Sequence, residues 1–136
     1  MTGYSGTPLA KKLGLADGTT LCLLDAPENY RAMFDAWPEG VVMVPRPSTK
    51  VDVFHLFATS WLGLEKSLKK CLAAMRDDAT IWVSWPKKSA KQPTDLTEDV
   101  IRDHALPLGL VDIKVCAVDE TWSGLKLVIR RQNRRK

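Results

Sequence analysis

Four short apolar runs constrain the fold of this chain more than any other feature: Thr20–Leu24, Val41–Val44, Val51–Phe57 and Thr80–Trp85. Each is too short for an ordinary helix and is continuous rather than strictly alternating, the mark of a strand buried on both faces. Between and after them the period changes. Leu64, Leu68, Leu72 and Met75 fall at steps of four, four and three, so Leu62–Arg76 reads as a helix with one apolar stripe. Lys66, Lys69, Lys70 and Arg76 lie mostly off that stripe, on a solvated face. Leu96–Leu106 reads as a second long helix, with acids in its first turn where the macrodipole favours them, closed by Pro107–Gly109. Strands alternating with helices predict an α/β fold: a mostly parallel sheet of about six strands with both faces covered.

The remaining segments fit that scheme. Thr7–Gly14 reads as a short helix, capped by Thr7, opened by Pro8 and stopped by Gly14. Asp17-Gly18 is a turn, and Ala26–Trp37 is expected to be a loop and helix closed by Pro38. Val111–Val118 and Leu125–Arg130 are the fifth and sixth strands. The connection between them, Asp119–Gly124, is too short for a parallel crossover, so the last strand should run antiparallel. No Pro/Gly/Ser linker divides the chain, which predicts a single domain over residues 1–130 and a basic tail over 131–136.

No apolar run approaches the roughly 20 residues that span a bilayer, and Met1–Gly6 lacks the basic and apolar regions of a secretory signal. The expectation is a cytoplasmic protein without membrane attachment. Cys22, Cys71 and Cys116 are odd in number and widely spaced, so they read as small buried hydrophobes rather than metal ligands. The net charge of +4 is uneven: five of the last seven residues, Arg130, Arg131, Arg134, Arg135 and Lys136, are basic, which leaves the body near neutral. Such a segment can neutralise phosphates, and it is equally the composition of a frayed, solubilising terminus.

The succession of elements resembles a trimmed Rossmann-like methyltransferase fold, which ends with a parallel strand followed by an antiparallel one. One strand and its helix are missing between Val44 and Val51. A more specific resemblance is to a family of small bacterial proteins, domain-of-unknown-function family 3052. It is carried by Gly3–Gly14 (GYSGTPLAKKLG), Ile81–Ser89 (IWVSWPKKS), Pro93–Arg102 (PTDLTEDVIR) and Asp119–Lys126 (DETWSGLK). This resemblance implies the fold and no reaction. The methyltransferase resemblance would imply S-adenosylmethionine, held by a glycine-rich loop after the first strand and an acid after the second. Here those positions read Leu24-Asp25-Ala26-Pro27-Glu28-Asn29-Tyr30, without glycine, and Pro45-Arg46-Pro47, without an acid. No cofactor is therefore expected.

In open α/β sheets ligands bind beyond the carboxyl ends of the strands. Five loops should converge there: Asp25–Tyr30, Pro45–Ser48, Ala58–Trp61, Ser84–Thr97 and Asp119–Ser123. Lys87 and Lys88, with the hydroxyls of Ser84 and Ser89, suit a phosphate or carboxylate. Backbone donors near Thr94–Thr97 would add to them, unless Asp95 and Glu98 form a capping box that fills the anion position. The alternative is structural, with the lysines paired to Asp95, Glu98, Asp99, Asp119 or Glu120. Asp119 and Glu120 are candidate bases or simply solvated acids. Trp85 and Trp122 either line a pocket or partner surface or cover the end of the sheet. His55, inside an apolar strand, reads as a buried neutral imidazole with one hydrogen bond, and His104 as a residue favoured by its helix end. No catalytic triad or zinc set has recognisable spacing.

The expectation is a small, non-enzymatic cytosolic binding or regulatory module on a degenerate methyltransferase-like scaffold, its partner an unknown protein or a small anionic ligand. The alternative is an enzyme or ligand binder for a small anionic substrate, using Ser84, Trp85, Lys87, Lys88, Ser89, Asp119, Glu120 and Trp122. A further alternative is nucleic-acid association through the tail alone.

Overall fold

The structure is a computed structural model and describes residues 7–134. Arg135, Lys136 and the Gly3–Gly6 part of the family resemblance lie outside the described residues. Six strands form one sheet: β1 (Thr20–Leu24), β2 (Val42–Val44), β3 (Val53–Phe57), β4 (Thr80–Pro86), β5 (Leu110–Ala117) and β6 (Trp122–Ile129). Their spatial order is β2-β1-β3-β4-β6-β5. β1, β2, β3 and β4 pair in parallel, whereas β6 is antiparallel to both β4 and β5. The last strand is thus the reversed one, and it inserts between β4 and β5. The turn joining β5 to β6 spans only residues 118–121, tighter than the sequence suggests, because both strands extend towards it.

Helices cover both faces. α2 (Trp61–Ala74) and α3 (Glu98–Ala105) pack on one side, where Leu64, Leu68, Cys71 and Met75 meet Phe54, Leu56, Ile81, Val83, Leu125 and Leu127. On the other side α1 (Leu9–Leu13) joins Tyr30, Phe34, Val53, Phe57 and Trp82. The Trp82 indole N–H donates to Leu13 O at 3.2 Å, tying α1 to the sheet. Gly124 makes room for that indole: a Cβ built there would stand 3.1 Å from Val118 and 3.3 Å from the Trp82 ring.

The helix expected between Ala26 and Trp37 is only a 3₁₀ turn, Tyr30–Met33. Pro27 and the aromatic residues explain this. Tyr30, Phe34 and Trp37 turn edge-on to one another as a cluster that plugs the α1 face, which a continuous apolar stripe at helical spacing would not do. The link from β2 to β3, Pro45–Asp52, holds neither strand nor helix, so the three-residue β2 is left as the sheet edge, with Val42 and Met43 exposed. Arg76, expected on a solvated face, instead clamps the start of β3: it pairs with Asp52 and Asp78 and donates to Val51 O. Among the described residues no helix is long and apolar enough to cross a membrane, and no group of three His, Cys, Asp or Glu is placed to hold a metal.

Candidate functional site at the carboxyl ends of the strands

The parallel strands point their carboxyl ends to one rim, where a cavity of about 240 Å³ opens. It is lined by Asp25 after β1, by Phe57, Ala58, Thr59 and Ser60 after β3, by Gly63 in the first turn of α2, and by Trp122 at the start of β6. Phe57 and Trp122 meet edge to face with centroids 5.0 Å apart. Asp25 has φ +59°, a left-handed backbone that glycine adopts most easily and that Asp tolerates better than most residues. No hydrogen bond or ion pair with another described residue engages its exposed carboxylate.

Beneath Phe57 lies a buried polar chain. His55 stacks under the Phe57 ring at 4.4 Å. Its Nδ1 is 2.9 Å from the Tyr30 hydroxyl and its Nε2 2.7 Å from the Ser84 hydroxyl. His55 and Ser84 are fully buried and Tyr30 is nearly so. Desolvation pushes the imidazole down to about 3 and the Tyr30 phenol well above its ordinary value. The imidazole is therefore neutral, bonding one hydroxyl as donor and the other as acceptor, so it makes two hydrogen bonds rather than the single one expected. The single-sequence signal for this chain was only a His within β3; its partners lie 25 and 29 residues away.

The long loop after β4 serves the start of α2. Thr94 Oγ1 donates to Thr59 O at 2.7 Å and accepts from Leu96 N. Asp95 Oδ1 accepts from Trp61 N at 2.8 Å, while Ser60, the N-cap, accepts from Gly63 N. Asp95 and Glu98 form no capping box on α3. Thr97 caps that helix by accepting from Val100 N, and Glu98 pairs with Arg102, which also binds Asp99 and Asp112. The protein's own carboxylate thus occupies the anion position, but on α2. Trp61, next to that cap, stacks on His104 of α3 with centroids 3.6 Å apart.

Of the residues the sequence singled out, Trp122 alone lines the cavity. Ser84 and Trp85 are buried, Ser84 against His55 and Trp85 in the core beneath α2, because β4 continues through Pro86 and carries both inside the sheet. Lys87, Lys88 and Ser89 lie beyond that strand end, the last two exposed in a 3₁₀ turn. The lysine loop and the Asp119–Trp122 turn are neighbours, since Pro86 pairs with Trp122 and Lys87 N donates to Thr121 O at 2.8 Å. Asp119 Oδ1, however, accepts from the N–H groups of Thr121 and Trp122. Asp25, Ala58, Thr59 and Ser60 were not singled out one by one, although all four lie in loops expected at this rim, and Phe57 was read only as the last residue of a strand. Their apolar and small neighbours carry no motif.

No family model matches the chain, and no curated protein matches it. Solved structures do. A SAM-dependent methyltransferase from Aquifex aeolicus superposes with TM-score 0.53 at 16% identity, over 89% of this chain and 87% of that one. A putative type 11 methyltransferase from Sulfolobus solfataricus gives 0.53 at 15% identity, over 94% and 93%. LepI in complex with SAM gives 0.55 at 14% identity over 90% of this chain, which spans 39% of the length of that protein. At these identities the likeness shows the fold: an α/β, Rossmann-like sheet of the methyltransferase type.

Proposed function

We propose that the chain is a binding module for a small organic molecule bearing a cationic group, built on a methyltransferase-like scaffold that does not use the methyl-donor cofactor. The observation that carries this reading is Asp25: a carboxylate that no other described residue engages, held at φ +59° on the wall of a cavity whose other walls include Phe57 and Trp122. Aromatic faces and a carboxylate favour a cation together, the rings through their quadrupoles and the acid directly. A backbone outlier at a cavity wall is the kind of strain that persists where a side chain must be presented. At about 240 Å³ the cavity suits a fragment-sized ligand, below the 300–1,000 Å³ or so usual for drug-sized ones. A nucleoside joined to an amino acid exceeds it. The loop Asp25–Tyr30 also lacks glycine, and it descends into the core at Tyr30 instead of opening around a cofactor.

The test is a titration of ¹⁵N-labelled protein with benzylammonium, benzoate and S-adenosylmethionine. Benzylammonium should shift the Trp122 indole N–H and the amides of Ala58, Thr59 and Ser60, and Asp25→Asn should remove the response. Benzoate shifting the same signals more strongly, or S-adenosylmethionine binding at micromolar concentration, would overturn the reading.

A further inference from the structure

The near-neutral charge of the body conceals an uneven surface. On β6 the residues Trp122, Gly124, Lys126 and Val128 point to the α1 side of the sheet, as Gly124 against Trp82 shows. On β5 the partners of Lys126 and Gly124 are Lys114 and Cys116. Lys114 and Lys126 therefore stand directly opposite each other on the same face. Lys12, at the end of α1, reaches the same place: its Nζ lies 3.4 Å from Ala117 O. The charges of Lys12, Lys114 and Lys87 all act on the Cys116 thiol, and Lys126 stands opposite Lys114, so four lysines gather along this face. Burial and the charge of Lys114 hold the Lys126 ammonium below its ordinary value.

Like charges directly opposed across an antiparallel pair are destabilising. A chain that keeps such a pair on an open sheet face gives up stability there, the usual trade at sites selected for binding. Of the acids near these lysines in sequence, Asp112 pairs with Arg102 of α3, while Asp119 and Glu120 sit at one end of the hairpin, where Asp119 is held by two backbone N–H groups. At the other end β6 runs into Arg130, Arg131 and Arg134. These are not a frayed tail. Arg130 N donates to Gly109 O at 2.8 Å, residues 131–133 form a 3₁₀ turn, and Arg134 Nε donates to Ile129 O. The cations thus extend along the eight residues of β6, about 26 Å at roughly 3.3 Å per residue. A row of that length fits a chain of phosphates better than a single anion.

We propose that the α1-side face of the β5–β6 hairpin, with Lys12, Lys87, Lys114 and Lys126, binds the phosphate backbone of a nucleic acid, and that the arginines after β6 extend this surface rather than constitute it. A lipid surface fits less well. Val115, an exposed apolar residue of β5, alternates to the opposite face, and Ile113 sits at the outer-edge bulge between Asp112 and Lys114.

Fluorescence anisotropy of the full chain with a labelled single-stranded RNA and a labelled DNA duplex, each of about 20 nucleotides per strand, tests this. Four phosphate contacts predict a loss of affinity of about a hundredfold between about 50 and 200 mM salt. Lys114→Gln/Lys126→Gln should lower the salt slope by about 2 and weaken binding about tenfold, while Arg131→Gln/Arg134→Gln has the smaller effect. The double lysine variant should melt no lower than the parent protein, since it removes a repulsive pair, so lost binding is not lost folding. Equal binding by the double lysine variant would overturn the proposal, as would abolition by the arginine variant alone. So would binding to vesicles of phosphatidylcholine and phosphatidylserine without binding to either oligonucleotide. Stabilisation by inorganic phosphate with no oligonucleotide bound would overturn it too.

Discussion

Acid should unfold this protein in a pH range set by His55. The imidazole is fully buried between the Tyr30 and Ser84 hydroxyls and under the Phe57 ring, and desolvation holds it down to about 3. Among the described residues no carboxylate bonds to it; its partners are the Tyr30 and Ser84 hydroxyls and the Phe57 and Tyr30 rings. The unfolded chain protonates this histidine near 6.5, whereas the folded one does not until about 3. The unfolded state therefore binds the extra proton throughout the interval between. Stability is fully present above 6.5 and falls as the pH drops through that window, with a limiting slope of about 1.36 kcal/mol per unit. Between pH 7 and pH 5 the loss is about 2 kcal/mol, and it requires only that the folded value lie well below 5. Asp52 contributes separately: a hydrogen bond from Thr20 N and its pairing with Arg76 hold its carboxyl low. Its stabilisation is present above the unfolded carboxylate value and is lost only as the pH falls below about 4. Urea unfolding followed by tryptophan fluorescence at pH 7, 6 and 5 measures the effect. The control is Tyr30→Phe/His55→Leu/Ser84→Ala, which replaces the whole polar chain by apolar groups and should lose most of the pH dependence in this window. His55→Leu alone should cost more than the triple change, because it orphans two buried hydroxyls at about 1–3 kcal/mol each. A parent protein equally stable at pH 7 and pH 5, or a triple variant with the same slope, would refute the assignment of that slope to His55.

Gly124→Val should destabilise by about 1–3 kcal/mol in the same urea assay, since branching at Cβ drives atoms into Val118 and the Trp82 ring. Asp95→Ala should lower the melting temperature through loss of the cap on Trp61 N, at a cost of about 1 kcal/mol, whereas Asp95→Asn retains most of it. S-adenosylmethionine should give no calorimetric signal at micromolar concentration, given the Asp25-Ala26-Pro27-Glu28 loop.

β1, β3 and β4 were legible because each is a continuous apolar run, largely buried in the sheet; β2 is such a run too, yet it lies exposed at the sheet edge. The reversal of the last strand was legible from the shortness of its connection. The segment 26–37 was not, because Tyr30, Phe34 and Trp37 sit at spacings of four and three that suit a helix. Those rings instead close on one another, and Tyr30 closes on His55. The rim was legible as five converging loops, yet most of its cavity wall was not. Ala58, Thr59 and Gly63 carry no chemistry that draws attention, and Asp25 stands out only once its backbone angle is known. Lys87 and Lys88 drew attention by charge, but their loop continues into the cap of α2 instead of over the cavity.

The basic face shows most clearly what a linear reading hides. Counting charges along the chain assigns the excess to the last seven residues, because the rest of the chain carries 15 basic and 16 acidic side chains. In space the acids nearest Lys114 and Lys126 along the hairpin include two that are engaged elsewhere: Asp112 turns to Arg102 on the α3 side, and Asp119 turns back to its own backbone. Period-2 alternation alone puts Lys114 and Asp112 on one face. The irregularity between Asp112 and Lys114 inserts Ile113 and moves them to opposite faces, as a bulge does by adding one residue to one strand. That single extra residue separates a lysine from the acid two positions before it, and sets it opposite Lys126. The positive face of the hairpin is therefore a product of register, which no sum over the sequence contains.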